Sequence, residues 1–295
     1  MSPHDLLQSF RTCQRYKLAR SWQKPFINPR RFVVNQLRKR GLFAGLTGSL
    51  RRSTSFHLDG FTVVQGEAVS QQIESYGIYE DSLTEAFLNL VKPGQLVVDI
   101  GMHLGYYTTL FARLVGAKGQ VHAFEPTPST RDIAARNVGA FSQVVVHPEA
   151  VWSSVKKLSF RDYGPQWMAF NSFTNAKANG APEPKLFDVT TTTLDEFQRQ
   201  LKKPVALLKI DAESAEAEII SGGKRLLAED HPLISLEVGD SEGAPTGRSL
   251  VELLCGLGFV PWEFRDGGFR RHEARGVYAY DNLIFAPSGR ELLAD

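Results

Sequence analysis

Apolar and polar positions alternate in blocks along this chain. Short apolar runs recur at Leu96–Ile100, Val121–Phe124, Val144–Val146, Val205–Ile210 and Leu233–Val238, bounded by Gly, Pro or charged residues. Runs this short, rich in Val and Ile, read as buried strands. Between them, Gly105–Val115, Pro128–Val138, Ala215–Ser221 and Ser249–Leu257 carry apolar residues at helical spacing. Phe259–Phe264 and Asn282–Phe285 read as closing strands. Strands alternating with helical segments imply βαβ units and a mostly parallel sheet. Residues 150–192 have less helical signal. Leu158–Phe160 and Val189–Thr192 read there as short strands flanking a long polar loop. Upstream, "FHLDGFTVV" predicts a hairpin that turns at Asp59-Gly60. Residues 68–91 predict a helical stretch with Ile73, Leu83, Phe87, Leu88 and Val91 on its apolar face, stopped by Lys92-Pro93-Gly94.

Charge divides the chain in two. Residues 1–52 hold twelve Lys or Arg against one acid, Asp5, a net +11, whereas the rest is net −9. The basic part reads as two short helices joined by a Pro-containing break. Leu6, Leu7, Phe10 and Cys13 share one face, and Phe32, Val33, Val34 and Leu37 lie within "RRFVVNQLRKR". Such a segment reads first as a solvated extension and next as a peripheral contact with an anionic membrane surface; its Arg-rich start also resembles a mitochondrial transit peptide. The expected organisation is a basic N-terminal extension over 1–54 and a single domain over 55–295. No apolar run reaches the roughly 20 residues of a membrane span, and the start has no apolar signal core. The two cysteines, Cys13 and Cys255, are far apart. These features predict a cytoplasmic protein, peripheral at the inner membrane surface if the basic segment docks there, without a disulfide framework.

The stretch "LVVDIGMHLGYYTTLFARL", residues 96–114, is the most informative. A buried strand carrying Asp99 runs into a turn with Gly101 and Gly105 and then a helix. Bare backbone at such a turn lets a ligand approach. The spacing is not the G-x-G-x-x-G that seats a pyrophosphate. An acid at the turn would repel phosphate oxygens and suits a cationic ligand. S-adenosylmethionine, with an ammonium and a sulfonium, is such a ligand. The next strand ends in "VHAFEP", where Glu125 lies 24 residues past Gly101. An acid there can accept hydrogen bonds from ribose hydroxyls. After the third strand, Glu149 in "HPEAV" stands where a carboxylate can meet an adenine amino group, and reads as well as a surface acid in a loop.

In order and spacing, "GIYEDSLTEAFLNLVKPGQLVVDIGMHLGYYTTLFARL", "HAFEPTPSTRDIAARNV" and "TTTLDEFQRQLKKPVALLKIDAESAEAEIISGG", continued by "HPLISLEVGD" and "DNLIFAP", are similar to the FkbM-type methyltransferases. The resemblance spans roughly residues 55–287. It implies a Rossmann-like class I methyltransferase fold, α/β, with a mostly parallel seven-stranded sheet and helices on both faces, and S-adenosylmethionine as cofactor. It implies methyl transfer to oxygen, on a sugar, glycolipid or secondary metabolite, and it maps cofactor contacts onto Asp99, Gly101, Gly105 and Glu125. Two places depart from the family pattern: Gly101-Met102-His103 stands where Gly-Ala-Asn is usual in the turn, and Ser214 replaces Gly in "KIDAES". The first bears on how the methionyl part of the cofactor is held, the second on the loop beside the acceptor.

Methylating a hydroxyl requires near-attack positioning and a proton acceptor. Candidate bases sit at strand C-terminal ends: Asp211 and Glu213 in "LKIDAES", and Glu237 in "ISLEVGD". Asp211 also suits a helix N-cap. His103 can act as a neutral base, though cofactor contact fits it better. The three acids could hold a divalent cation, but no strict ligand motif supports this and no metal is expected. Tyr79 and Glu80, and Asn171 and Ser172 in the polar loop, are candidate borders of an acceptor pocket. Two other classes compete: a nicotinamide-dependent oxidoreductase, which lacks its glycine motif, and a non-catalytic binder using the basic arm. No nucleic-acid recognition motif is present, so nucleic acid is not the expected partner.

Overall fold

The computed structural model describes residues 3–40, 50–173, 180–240 and 245–292. In chain order its elements begin with helices α1 (Pro3–Leu18), α2 (Lys24–Ile27) and α3 (Pro29–Lys39), then β1 (Leu50–Ser53), β2 (Phe61–Val64), α4 (Ala68–Tyr76) and α5 (Asp81–Leu90). The alternating core follows: β3 (Leu96–Ile100), α6 (Tyr106–Val115), β4 (Gln120–Phe124), α7 (Pro128–Val138) and β5 (Val144–His147). Next come β6 (Ala150–Val151), β7 (Lys157–Asp162), a short 3-10 turn at Met168–Phe170, β8 (Lys185–Thr192), α8 (Leu194–Gln198), β9 (Val205–Ile210), α9 (Glu216–Ser221), α10 (Lys224–Asp230) and β10 (Leu233–Val238). The remainder is α11 (Gly247–Gly256), β11 (Phe259–Arg265), β12 (Gly268–Arg271) and β13 (Asp281–Pro287).

The main sheet has the order β12-β11-β13-β10-β9-β3-β4-β5. The five strands from β10 to β5 are parallel, and β13 runs antiparallel between β10 and β11. This is the expected Rossmann-like arrangement, with eight strands rather than seven. The extra strand is β12, folded back on β11 by a turn at Asp266-Gly267, both at positive φ. Asp-Gly is a preferred pair for so tight a hairpin.

Successive residues of the central strands feed opposite faces. Val97, Val121, Leu207 and Ile284 pack with α4, α5 and α6, whereas Val98, Leu208, Ile234 and Phe285 pack with residues of α9, α10 and α11. Strands buried on both faces need continuous apolar sequence, which is why their limits were readable. Elsewhere the pattern misled. The stretch 68–91 forms two helices, because the chain turns at Gly77 and again at Glu80, whose φ is +43. The hairpin at Asp59-Gly60 pairs β2 with β1, further upstream than the local alternation implied.

Among the described residues the basic segment forms three helices, not two. α1 buries Leu6, Phe10, Cys13 and Tyr16, and the first three belong to the same core as Phe87 and Phe111. Burying a side chain such as Leu or Phe contributes about 1.5–3 kcal/mol, so α1 is part of the fold and not a solvated appendage. Among the described residues no helix is long and apolar enough to cross a membrane.

Candidate active site

Strand order reverses between β3 and β9, and ligands of open α/β sheets bind at the carboxyl ends of strands beside such a switch. A cleft lies there. Along its floor the strand ends present Glu237, Asp211, Gly101 and Glu125 in that order, from β10, β9, β3 and β4. At about 4.8 Å between strands, these four span about 14 Å.

Gly101 has a φ of +82, and a Cβ there would overlap the carbonyl oxygen of Asp211. The glycine is therefore required by the close approach of two strand ends, whose link is tightened by Asp211 N–H donating to Ile100 O at 3.1 Å. The N–H groups of the turn point into the protein. Those of Gly101 and Met102 donate to Phe124 O, at 3.2 and 3.0 Å, and that of His103 donates to Glu125 Oε2 at 3.0 Å. A phosphate cradle needs such groups free, so these three do not form one, and the nicotinamide reading loses its anchor.

Glu125 is only 7% exposed, and its other oxygen accepts from Thr127 N–H at 3.0 Å. Burial pushes its carboxyl up to about 7, against the pull of these N–H donors. Each carboxylate oxygen retains a lone pair for a further donor. His103, at φ +52, lines the cleft with an Nε2 that makes no hydrogen bond; Glu67 Oε1 is 3.9 Å away. Burial lowers its pKa, which favours neutral imidazole.

Lys209, which the sequence reading passed over, organises the centre. It is 2% exposed, and Nζ stands 3.3 Å from Asp99 Oδ1, 3.2 Å from Asp211 Oδ2 and 3.3 Å from Gly101 O. Burial opposes its charge, but Asp211, Asp99 and Glu80 outweigh that and its pKa is raised. The available signal was a lysine inside the apolar strand "VALLKI", a place where an unpaired charge would not survive. Asp99 is wholly buried, accepts from Thr108 Oγ1 at 2.6 Å, and does not line the cleft. It holds Lys209.

Asp211, Glu213 and Glu237 bring one carboxylate oxygen each within 4.8 Å of the others. Burial, then repulsion from Asp211 and Glu216, pushes Glu213 up to about 8. Burial, then repulsion from Asp211, Glu213, Glu80 and Glu216, also raises Glu237. Three oxygens this close can be held together by protons or can take a hard cation.

Of the other expected residues, Tyr79 and Asn171 face the cleft and Glu80, Gly105, Glu149 and Ser172 do not. The Tyr79 hydroxyl is pushed well above its usual range by burial and then by Glu80, Asp211, Glu237 and Glu67. Glu80 braces the wall behind it, accepting from Tyr107 Oη and from Asn282 Nδ2, both at 2.8 Å. Asn171 ties the polar loop to the strand end, accepting from Tyr163 N–H at 2.9 Å and donating to Thr127 Oγ1 at 3.3 Å. Ser172 is buried and pairs with Arg161. Glu149 is half-buried off the cleft, while its neighbours Ala150 and Val151 join Phe124, Phe160, Met168 and Phe173 in an apolar lining. Sequence alone had not singled out these apolar residues as a binding wall.

The model of the Methyltransferase FkbM domain matches residues 99–261, more than half of the chain. The chain belongs to the FkbM methyltransferase family. No curated protein matches it. Among solved structures it is similar to an FkbM methyltransferase from Methylobacillus flagellatus KT, with 13% identity and a TM-score of 0.41 over 75% of this chain and 56% of that one. It is also similar to fibrillarin of Aeropyrum pernix with natively bound S-adenosyl-L-methionine (14% identity, TM-score 0.41, 81% of this chain and 100% of that one). A third is an rRNA methylase from Streptococcus thermophilus (12% identity, TM-score 0.40, 70% and 95%). The FkbM-family match runs from the end of β3 to the start of β11, and so takes in all four strand ends of the cleft floor.

Proposed function

We propose that this FkbM-family protein transfers a methyl group from S-adenosylmethionine to a hydroxyl on a sugar, glycolipid or secondary metabolite. The observation that carries this reading is the chemistry of the cleft floor: Glu125, Asp211, Glu213 and Glu237 face it with Lys209 as the one lysine or arginine in the described lining. An acid-rich, part-apolar cleft suits a cationic nucleoside and repels a polyphosphate.

The donor set fits the cofactor's parts. Glu125, fixed by two N–H donors, has lone pairs for a ribose diol. Ala150, Val151, Phe160 and Phe173 offer an apolar slot for a purine. His103 Nε2 lacks a hydrogen-bond partner and is suited to the methionyl end. When bound, S-adenosylmethionine supplies a methyl carbon on a positively charged sulfur, which is already a good leaving group.

Asp211 takes the proton that an acceptor hydroxyl must shed. It alone of the three clustered acids has Lys209 as an ion-pair partner. Glu213 and Glu237, with raised pKa values, are protonated near neutrality and donate hydrogen bonds that orient the acceptor oxygen. No metal is required, because these protons relieve the repulsion a cation would otherwise offset.

Calorimetric titration with S-adenosylmethionine and S-adenosylhomocysteine, beside an NAD control, tests the cofactor. Transfer of labelled methyl to a panel of glycan, lipid and polyketide hydroxyls tests the reaction. Asp211→Asn is expected to lower kcat by about 10²-fold or more while leaving cofactor affinity within a few fold. Binding of NAD in place of S-adenosylmethionine by folded protein would refute the reading. Full turnover by the Asp211 variant would remove that residue from the proton transfer.

A further inference from the structure

Besides the buried face of α1, the α1–α2 hairpin carries a second set of large apolar side chains that the protein does not cover. Its lysines face the protein: Lys17 Nζ bonds Asp81 Oδ1 at 2.7 Å, and Lys24 Nζ lies over the rings of Tyr16 and Tyr76 at 5.3 and 5.7 Å. Three large apolar side chains face outward instead: Leu18 is 77%, Trp22 66% and Phe26 84% exposed. They recur every four residues through the end of α1, the turn and α2. Val33 and Val34 on α3 are exposed as well. Single exposed apolar residues are ordinary, but three of this size in nine positions are not.

Exposed basic side chains lie near them along the sequence. Arg15 and Arg20 flank Leu18, Arg30 follows Phe26, and Lys39 and Arg40 end α3. No acid occurs from Leu6 to Leu58. We infer that this face docks on an anionic lipid bilayer, with Leu18, Trp22 and Phe26 entering the interfacial layer and the arginines meeting lipid phosphates. Charge complementarity selects an anionic partner. The outward leucine, tryptophan and phenylalanine select a bilayer over RNA, because apolar insertion between headgroups uses all three. On its inner side the hairpin is tied to the start of α5 by Lys17 and Asp81, and Asp81 lies two residues from Tyr79 of the cleft wall. This inference does not depend on the identity of the methyl acceptor.

Co-sedimentation of the full chain with vesicles tests it. Protein is expected to pellet with phosphatidylcholine–phosphatidylglycerol vesicles and to stay in solution with phosphatidylcholine alone. Trp22→Ser combined with Phe26→Ser should weaken binding about tenfold or more, with melting unchanged because both side chains are exposed. Replacing Arg15, Arg20 and Arg30 by Gln should cost about fivefold for each charge near the surface and reduce the salt dependence. A blue shift of tryptophan emission on anionic vesicles, absent in Trp22→Phe, reports insertion in otherwise unaltered protein. Wild-type protein that stays in solution with anionic vesicles would overturn the inference, as would apolar variants that pellet like the wild type. Binding to a single-stranded RNA oligomer that survives the Trp22 and Phe26 substitutions, without vesicle binding, would assign the face to nucleic acid instead.

Discussion

The carbonyl oxygen of Asp211 occupies the space that a side chain at Gly101 would need. The two strand ends that carry most of the cleft floor are thus in backbone contact, and the glycine is a structural requirement before it is a binding feature. Gly101→Ala combines a clash with strain at φ +82. It is expected to destabilise the protein by about 2–4 kcal/mol, read as a fall in melting temperature together with weaker cofactor binding. A variant with wild-type melting would show that the strand ends can separate.

Lys209 joins Asp99 and Asp211, one wholly buried and one facing the cleft. Removing one member of a buried ion pair strands the other charge, at a cost of about 3–5 kcal/mol. Lys209→Met should therefore melt well below the wild type, and Asp99→Asn in the same background should recover part of the loss. Denaturant unfolding of the single and double variants measures this coupling. Additive losses would mean that the two groups do not act as a pair.

Glu125 titrates near 7 because burial raises it against two N–H donors. Donors from a ribose diol favour its charged form and lower that value on binding. Cofactor binding then releases a proton near neutrality. Affinity should rise with pH through about 7 and level off above it, falling about tenfold per unit on the acid side. Calorimetry in two buffers of different ionisation heat detects the proton directly, and Glu125→Gln should flatten the profile. A pH-independent affinity in the wild type would remove Glu125 from the ligand contacts.

Glu213 is raised from 4.5 to about 8, first by burial. In the unfolded chain it loses its proton near 4.5, and in the folded protein near 8. Between these values the folded state binds more protons, so the stabilisation is complete below the lower value and is lost as pH rises through the upper one. Glu213→Gln should therefore raise the melting temperature above about pH 8 by a few degrees, consistent with about 1–2 kcal/mol once partial solvent screening is allowed for. The same proton-held cluster predicts that a chelator leaves activity unchanged. Activity lost to chelator and restored by magnesium would assign the three acids to a cation.

Much of the fold was legible because its central strands are buried on both faces. The limits of β3, β9 and β10 follow from uninterrupted apolar runs such as "VALLKI" and "LISLEV". What escaped depends on long-range geometry. Asp99 reads as a ligand contact because a sequence shows an acid before a glycine, but not the lysine on the adjacent strand that takes it up. Lys209 was passed over for the converse reason: a charge in a strand is explained only by partners that are 110 and 2 residues away in sequence. In the N-terminal segment, the buried spacing of Leu6, Phe10 and Cys13 was readable, whereas the charge imbalance pointed to a separate appendage that α1 does not form.

The hydrogen bond from Asn282 to Glu80 spans 202 residues, and Asn282 belongs to β13, which lies between β10 and β11 although it follows both in sequence. During synthesis the ribosome delivers both neighbours of that gap before the strand that fills it. The sheet cannot close, and the wall behind Tyr79 cannot be braced, until residues 281–287 have left the exit tunnel. Premature termination upstream of that strand would therefore yield a chain that has every acid of the cleft floor and lacks the strand that finishes its support.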